Sequence, residues 1–235
     1  MKKTNIGLGI LVIVIGLVLM NAERVEDLID ESQSVPINGV TSAVVYLDTG
    51  IAKLSVSSGT DELIAGHFRY NVKRWQPEII SDRAGQRAEI RVRQKKSTRI
   101  PIGNTKNEWD IELNEQLPID LHVDLGIGES RLDLAGLDLE GLNVDVGIGE
   151  VWIDMSAITS RALKVRIDGG IGSTTVYFPR DVGVRVVVDK GLGSVDADGF
   201  ERDGDVYTNE AYRSSEPSID VTIDAGIGSV DLRLR

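Results

Sequence analysis

A repeated pentapeptide, Asp-x-Gly-Ile/Leu-Gly, is the feature that most limits how this chain can fold. Complete copies begin at Asp124, Asp145, Asp168, Asp189 and Asp224, and a degenerate copy, DTGIA, begins at Asp48. From Asp124 to Asp189 the copies are 21, 23 and 21 residues apart, and the last interval, to Asp224, is 35. Internal repeats of this length are typical of folds that stack units too small to bury a core alone.

The hydrophobic pattern around each copy predicts a bent β-strand. In the first complete copy, every second residue is apolar from Ile119 to Leu125, and the apolar positions resume at Leu132 and Leu134. This alternation is typical of a strand with one buried face. The apolar positions change from odd to even numbers across the glycines, and a change of parity, in one direction or the other, occurs at each of the other four complete copies. Because a change of parity that keeps one face buried requires a bulge or a bend, we predict a corner at each Gly-Ile-Gly.

Each residue of the motif has a predicted role at this corner. Glycine allows the positive φ that a sharp bend requires. The central apolar residue is expected inside, and the Asp is expected outside, where its carboxylate would accept hydrogen bonds from turn amides. The predicted corner residues are Asp124, Gly126, Gly128, Asp145, Gly147, Gly149, Asp168, Gly170, Gly172, Asp189, Gly191, Gly193, Asp224, Gly226 and Gly228, with Ile127, Ile148, Ile171, Leu192 and Ile227 between the glycines.

Two strands and two turns in each unit predict an all-β fold. The favoured architecture is a single-stranded parallel β-solenoid whose coils lie about 4.8 Å apart, so that six coils form a rod about 29 Å long. The content of 25 glycines and only 5% aromatic residues suits repeated thin turns. An antiparallel β-sandwich is the alternative; it explains the change of parity but not the constant interval.

The N-terminus predicts a membrane anchor. Lys2 and Lys3 precede an unbroken apolar run, Ile6 to Met20. With its flanking residues this run would form a helix about 28 Å long, close to the thickness of the bilayer core. A small-x-small cleavage site is missing, because a cut after Ala22 would place Met20 three residues before the bond. We therefore predict one uncleaved transmembrane helix, residues 1–22, in a bacterial cell membrane, with the remainder extracytoplasmic; secretion after cleavage is the alternative.

The remaining chain divides into a stalk and a domain. Residues 23–36 are acidic and predict a stalk that could form a short helix, and residues 37–235 predict the solenoid with two insertions. The first, near 60–116, contains predicted strands at 62–72, 87–94 and 108–113, which include a β-hairpin and should complete the first coil. The second, near 199–217, predicts a polar surface loop between the last two coils. The C-terminal strand is expected to leave an open end.

Composition argues against most chemistry. The chain has no Cys and two His, which leaves little for thiol, disulfide or His-rich metal sites. Its net charge of −11 argues against nucleic acid. The stretch DGGIGSTT lacks the Lys of a phosphate loop and precedes a strand, not a helix. One Asp per coil is too few for the six to eight oxygens that Ca²⁺ prefers, and no acidic pair is distinguished as glycosidase-like. We predict no enzyme, no cofactor and no metal.

One basic cluster and one Trp are candidate contact residues. The basic residues are Arg83, Arg87, Arg91, Arg93, Lys95, Lys96 and Arg99. This basic patch could bind anionic wall polymer or lipid headgroups, or it could protect an edge strand and balance the acidic coils. Trp152 should point outward by parity, where it either marks a contact surface or packs under a loop.

The segment LPIDLHVDLGIGESRLDLAGLDLEGLNVDVGIGEVWIDM (Leu117–Met155) resembles the toastrack domain. This is the β-solenoid at the C-terminus of LiaF-like cell-wall-antibiotic-response proteins and of related adhesin-like proteins, and the resemblance extends over Val35–Arg235. It implies a role in envelope-stress signalling and provides no catalytic residues to transfer. LiaF-like proteins usually carry several membrane helices, whereas this chain has one apolar segment, so direct regulation of a membrane kinase is not implied.

These observations predict a non-enzymatic, membrane-anchored extracytoplasmic module. It would bind an envelope protein, or a second copy through a solenoid end, in cell-envelope stress sensing or envelope assembly. An adhesin or wall-polymer-binding module is the alternative. A carbohydrate-active enzyme would need a cleft with two carboxylates at catalytic spacing.

Overall fold

A computed structural model describes residues 25–95, 103–158, 162–213 and 218–235. These residues form thirteen strands: β1 (Ile29–Val35), β2 (Ser42–Ser58), β3 (Ile64–Tyr70), β4 (Pro77–Ala84), β5 (Arg87–Gln94), β6 (Asn107–Leu113), β7 (Ile119–Asp133), β8 (Leu139–Asp154), β9 (Leu163–Phe178), β10 (Gly183–Ala197), β11 (Glu201–Asp203), β12 (Val206–Thr208) and β13 (Ser218–Leu234). Two short 3-10 helices, Lys73–Trp75 and Glu210–Arg213, follow β3 and β12.

The six long strands are the coils of a parallel solenoid. They pair side by side in the order β2, β7, β8, β9, β13 and β10, and their registers align the repeated motifs from coil to coil. Each strand bends at its motif into a first arm, before the glycines, and a second arm, after them. The fold is therefore all-β and mostly parallel, which confirms the solenoid prediction and excludes the antiparallel sandwich.

The core lies between the two arms of each coil. Leu121 of the first arm and Leu132 of the second are both fully buried in β7, and the same parity change recurs along the stack. The aligned inward positions are aliphatic in every coil: Val45, Leu121, Leu142, Val165, Val221 and Val186 in the first arms. Full burial of each such side chain stabilises the fold by about 1.5–3 kcal/mol. Thin coils therefore depend on stacking for their stability.

The order of the coils differs from the order of the chain. β13 lies between β9 and β10, so the C-terminal strand is an interior coil and the prediction that it forms the open end is wrong. The predicted surface loop at 199–217 is also wrong in part, because β11 and β12 form a hairpin there. β12 pairs antiparallel with Arg185–Val187 on the outer side of β10. Since that side is occupied, β13 pairs on the inner side of β10.

The first coil is completed by strands that are distant in sequence, as predicted. β5 pairs with the first arm of β2, over Ser42–Asp48, and β6 pairs with its second arm, over Lys53–Ser58. β4 continues the sheet beyond β5, and β3 and β1 continue it beyond β6. At this end of the solenoid the sheet thus continues as two groups of strands, β5 and β4 beside the first arm and β6, β3 and β1 beside the second.

The helix expected in residues 23–36 is wrong, because Ile29–Val35 form β1. This strand pairs antiparallel with β3, and its alternate residues are half-buried. The hydroxyl of Tyr70 donates to Glu31 Oε1 at 3.3 Å, and burial together with Glu31 raises the pKa of Tyr70 to about 12. No helix in the described ranges is long and apolar enough to cross a bilayer, and the predicted anchor, residues 1–22, lies outside those ranges.

Candidate interaction surface

The motif glycines are required by the closeness of neighbouring coils. A Cβ built on Gly128 would lie 1.8 Å from the carbonyl oxygen of Ala52, and one built on Gly126 would lie 2.5 Å from that of Gly50. The second glycine of each motif also has a positive φ, between +148° and +156°. Each second glycine faces a carbonyl of the preceding coil in the order β2, β7, β8, β9, β13 and β10. β2 is the first coil in this order, so no preceding coil faces its corner. This position explains why β2 alone has an Ala, Ala52, where the other coils have their second glycine.

The central apolar residue of the motif points outward, so its predicted burial is wrong. Ile51, Ile127, Ile148, Ile171 and Ile227 are 45% to 50% exposed, and Leu192 is 72% exposed. The six residues are aligned by the strand registers and form one column, the corner ridge. At a convex corner the middle residue projects away from the interior. The space inside the bend is bordered in β7 by Leu125 and Ser130, both buried.

The motif aspartates form a second column on the outer face of the first arms. This Asp column consists of Asp48, Asp124, Asp145, Asp168, Asp224 and Asp189. Arg166 bridges two of its members, with two hydrogen bonds to Asp168 at 2.9 and 3.0 Å and one to Asp224 at 2.9 Å. The partner of Asp168 and Asp224 is thus the guanidinium of Arg166, whereas the sequence suggested turn amides. Burial and the adjacent Asp168 raise the pKa of Asp224 above its ordinary value.

A shallow groove of about 400 Å³ lies along the Asp column. Its floor includes Tyr46 and His122, whose rings stack with centroids 4.6 Å apart. The guanidinium of Arg91 lies 4.5 Å from the Tyr46 ring centre on the other side. Arg166 lines the opposite end, with Asp124, Asp145 and Asp168 along the side. The groove therefore has cationic ends and a carboxylate wall.

Most members of the predicted basic patch are paired with acids or carbonyls. Arg83 donates to the carbonyls of Gly85 and Asn38, both at 2.6 Å. The other described arginines form ion pairs: Arg87 with Glu140 at 3.2 Å, Arg91 with Glu89 at 3.1 Å and Arg93 with Glu78 at 3.0 Å.

The strand register of β5 places two patch members beside the acidic coils. Arg91 is aligned with Tyr46, and Arg93 is aligned with Asp48 at the head of the Asp column. Lys95 is exposed, and Lys96 and Arg99 lie outside the described residues. The structure therefore brings Arg91 to the groove, places Arg93 beside Asp48, and uses Arg83, near the end of β4, to bind the carbonyl of Gly85 in the following turn.

Trp152 is half-buried in a stack of side chains on the second arms. The Arg131 guanidinium lies 3.7 Å from the Trp152 ring centre, and the Tyr177 ring lies 5.3 Å away on the other side. Arg235 covers Tyr177 at 3.6 Å and forms an ion pair with Asp154. Trp152 thus packs between surface side chains and not under a loop.

Sequence reasoning missed three buried amides that hold the ends of the solenoid. Asn107 donates to the Ile51 carbonyl at 2.6 Å and to Gln94 Oε1 at 3.0 Å, beside the first corner. Asn209 bonds to Val182 O and Val184 N, both at 2.8 Å, at the other end. The third, Asn114, donates to the Thr60 and Glu62 carbonyls at 3.1 Å. Each of these Asn residues lies at or next to the end of a strand outside the repeated motif. This position is the feature of the sequence that could have indicated their role.

The described part of the chain contains no cluster of three or more His, Asp or Glu side chains that could hold a metal ion. In the Asp column, the carboxylates of neighbouring coils lie side by side, and Arg166 forms ion pairs with two of them, Asp168 and Asp224. This face therefore presents paired charges and aromatic rings.

Comparison with known proteins agrees with this architecture. The N-terminal domain of toast_rack (DUF2154) matches residues 24–177. The chain belongs to the toast_rack family. The C-terminal domain of LiaF, of the cell wall-active antibiotics response, matches residues 126–232 of this family member. No curated protein matches the chain.

One solved structure is similar to this chain in both sequence and fold. A candidate cell adhesion protein from Clostridium sporogenes ATCC 15579 is 36% identical with a TM-score of 0.86, over 89% of this chain and 100% of that one. A candidate adhesin from Bacteroides fragilis NCTC 9343 is 12% identical with a TM-score of 0.33, over 89% and 99% of the two chains. One from Parabacteroides merdae ATCC 43184 is 9% identical with a TM-score of 0.26, over 90% and 99%.

Proposed function

We propose that this toast_rack protein is a non-enzymatic, membrane-anchored module of the cell envelope. It binds a partner protein through the outer face of the first arms during envelope stress sensing or envelope assembly. The LiaF-like match supports an association with the response to cell-wall-active antibiotics. The contact surface includes the groove residues Tyr46, Arg91, His122 and Arg166 and the Asp column beside them.

The observation that carries this proposal is the alignment of charged and aromatic side chains on a rigid sheet. The row Arg91, Tyr46, His122, Asn143 and Arg166 runs parallel to the Asp column, and strand pairing holds both in register. Side chains on paired strands are held in place before binding, so their contacts with a partner lose little conformational entropy. The carboxylate wall favours a partner segment rich in Lys or Arg, and complementary charge of this kind determines specificity and association rate.

Site-specific photo-crosslinking in the native host tests the proposal. A photoreactive residue replaces Asn143, in the groove, and a control replaces Asp203, in the β11–β12 hairpin. We expect one envelope protein to crosslink at position 143 and not at 203, and the purified partner to bind the wild-type chain. Reversal of two carboxylates in the groove wall, Asp124→Lys with Asp145→Lys, should weaken that binding at least about tenfold, because two charge pairs with the basic partner segment are lost. Equal crosslinking at both positions, or unchanged affinity of the double variant, would contradict the proposal.

Adhesion is the second candidate function, and one observation favours it. The C. sporogenes structure that is 36% identical over its whole length is named for cell adhesion. In this case the outer faces of the coils would bind a wall polymer directly. Retention of the purified protein on anionic wall polymer, weakened by salt and by Arg91→Glu with Arg166→Glu, would support adhesion over protein recognition.

A further inference from the structure

The exposed large apolar residues are concentrated on one edge of the solenoid. Eight such residues occur among those that the structure describes, and six of them lie at the corners. Six form the corner ridge, and the seventh, Leu28, is 51% exposed immediately before β1. The ridge spans five inter-strand steps, which is about 24 Å. A straight apolar column of this length is unusual on the surface of a soluble domain.

The chain that precedes β1 leaves the domain at this same edge. In β6, Asn107 contacts the Ile51 carbonyl at the corner of β2. The strand registers then align Asn107 with Tyr70 of β3, and Tyr70 with Ile29, the first residue of β1. β1 therefore begins at the corner edge, about three strand spacings or 14 Å from Ile51, and runs away from it. The preceding 24 residues contain the apolar run Ile6–Met20 that predicts the membrane anchor.

Exposed basic residues surround this exit. Lys73 and Arg74 lie in the 3-10 helix that connects the corner end of β3 to the corner end of β4. Lys95 follows Gln94, whose side chain accepts a hydrogen bond from the Gly50 amide at 3.4 Å. All three side chains are exposed on the edge that carries the ridge. Ammonium and guanidinium groups at this position suit the phosphates of lipid headgroups.

We propose that the corner ridge is a membrane-contact edge, which lies on the surface of the bilayer that holds the N-terminal segment. This inference rests on the proposed anchor and specifies how the domain is oriented on it. The solenoid axis lies parallel to the bilayer, the ridge side chains enter the headgroup region, and the arms project away. The groove then opens to the side, where a partner can reach it.

A bilayer fits the ridge better than a second copy does. The ridge is one side chain wide and convex, and it offers on the order of 500 Å² of apolar surface, below the roughly 800 Å² per partner of a standard protein interface. A flat, deformable lipid surface needs no matching groove. The Asp column beside the ridge makes contact weaker as the anionic lipid content rises.

Fluorescence quenching by lipid measures this orientation directly. The chain has no Cys, so a single introduced Cys can carry an environment-sensitive dye. Ile148→Cys places the dye on the ridge. Ala157→Cys places it on the exposed turn after the second arm of β8, at the opposite edge of the same coil. The full chain is reconstituted in phosphatidylcholine vesicles that contain a lipid-attached quencher, and its attachment is checked by flotation.

We expect the dye at 148 to be quenched at least about threefold more than the dye at 157. Adding Ile127→Ser and Ile171→Ser on either side of position 148 should reduce its quenching at least about twofold, because the neighbouring apolar contacts with lipid are lost. If the chain floats with the vesicles but the two dyes are quenched equally, the proposed ridge contact is wrong and the proposed membrane anchor is retained. A chain that does not float overturns both. A blue shift at 148 without lipid quenching means that a second copy or the N-terminal segment covers the ridge, and this also overturns the proposal.

Discussion

The carbonyl oxygen of Gly149 occupies the space in which a side chain at position 172 would begin, because a Cβ built on Gly172 would lie 1.6 Å from it. The same relationship joins Gly128 to Gly149 and Gly172 to Gly228. Each coil thus determines which residue the next coil can carry at its corner. The repetition of glycine in this sequence is a stacking requirement, and it ends at the first coil, where Ala52 is present.

Replacing Gly172 by Ala should destabilise the domain by more than about 4 kcal/mol or prevent folding, because the added methyl group meets backbone that cannot move without separating β8 from β9. Urea unfolding followed by far-UV circular dichroism measures the loss. Gly85→Ala is the matched control, since Gly85 also has a positive φ, +65°, but a Cβ there would contact nothing within 4 Å. The control should cost about 1 kcal/mol from backbone strain alone. Similar costs at both positions would contradict the stacking explanation.

Replacing Asn209 by Ala should release the hairpin that covers β10. The side chain of Asn209 is 2% exposed and satisfies the backbone of Val182 and Val184, so its removal leaves buried polar groups without partners. We expect a loss of about 2–4 kcal/mol in urea unfolding and increased light scattering, since the edge of β10 becomes available for pairing. Asn143→Ala, on the outer face of β8, should change stability by less than about 0.5 kcal/mol. An Asn209 variant as stable as this control would exclude the capping role.

Replacing Arg235 by Gln should cost more than the loss of an ordinary surface ion pair. Arg235 pairs with Asp154, whose side chain is 8% exposed, so the substitution leaves a nearly buried carboxylate without its cation. Arg213→Gln removes an ion pair with Glu201 in which both side chains are mostly exposed. We expect about 1–2 kcal/mol for Arg235 and less than about 0.5 kcal/mol for Arg213 in parallel urea titrations. The reverse order would show that Asp154 does not depend on Arg235.

The corner itself could be predicted from the sequence, because the parity of apolar residues on the two sides of the glycines is a local property. The alternation from Ile119 to Leu125 and at Leu132 also defined both buried faces correctly. The direction of the central residue could not be obtained in this way. A bulge with Ile127 inside and a convex corner with Ile127 outside produce the same change of parity, and only the stacked backbone distinguishes them.

The position of β13 could not be predicted because all the repeats present nearly the same apolar face. Any order of stacking aligns Asp168, Asp189 and Asp224 equally well. The choice depends on β12, which occupies the outer edge of β10 through a short strand pairing that hydrophobic periodicity does not reveal. The groove was partly predictable: Arg91 was identified as an outward residue on a basic strand, but its stacking on Tyr46 depends on pairing between strands distant in sequence.

Replacing Asp224 by Asn should stabilise the protein at neutral pH and have no effect in acid. Burial and Asp168 raise the pKa of Asp224, so the folded state holds its proton to a higher pH than the unfolded state does. For a carboxyl group with a raised pKa, stability falls as the pH rises from the ordinary carboxyl pKa through the folded value, because the unfolded chain binds fewer protons in that window. Above the window the charged Asp224 opposes folding, whereas an Asn does not.

The melting temperature measured from pH 3 to pH 8 tests this sign. We expect the Asp224→Asn variant to melt above the wild type at pH 7.5 and the two curves to converge below the ordinary carboxyl pKa, near pH 4. The ion pair of Asp224 with Arg166 acts in the opposite direction, but Arg166 retains two hydrogen bonds to Asp168 in the variant. Asp203→Asn, in the exposed β11–β12 hairpin outside the Asp column, controls for the loss of one surface carboxylate, and the Asp224→Asn variant should melt above it at pH 7.5. A variant that melts below the wild type at pH 7.5 would mean that Arg166 outweighs the repulsion within the Asp column.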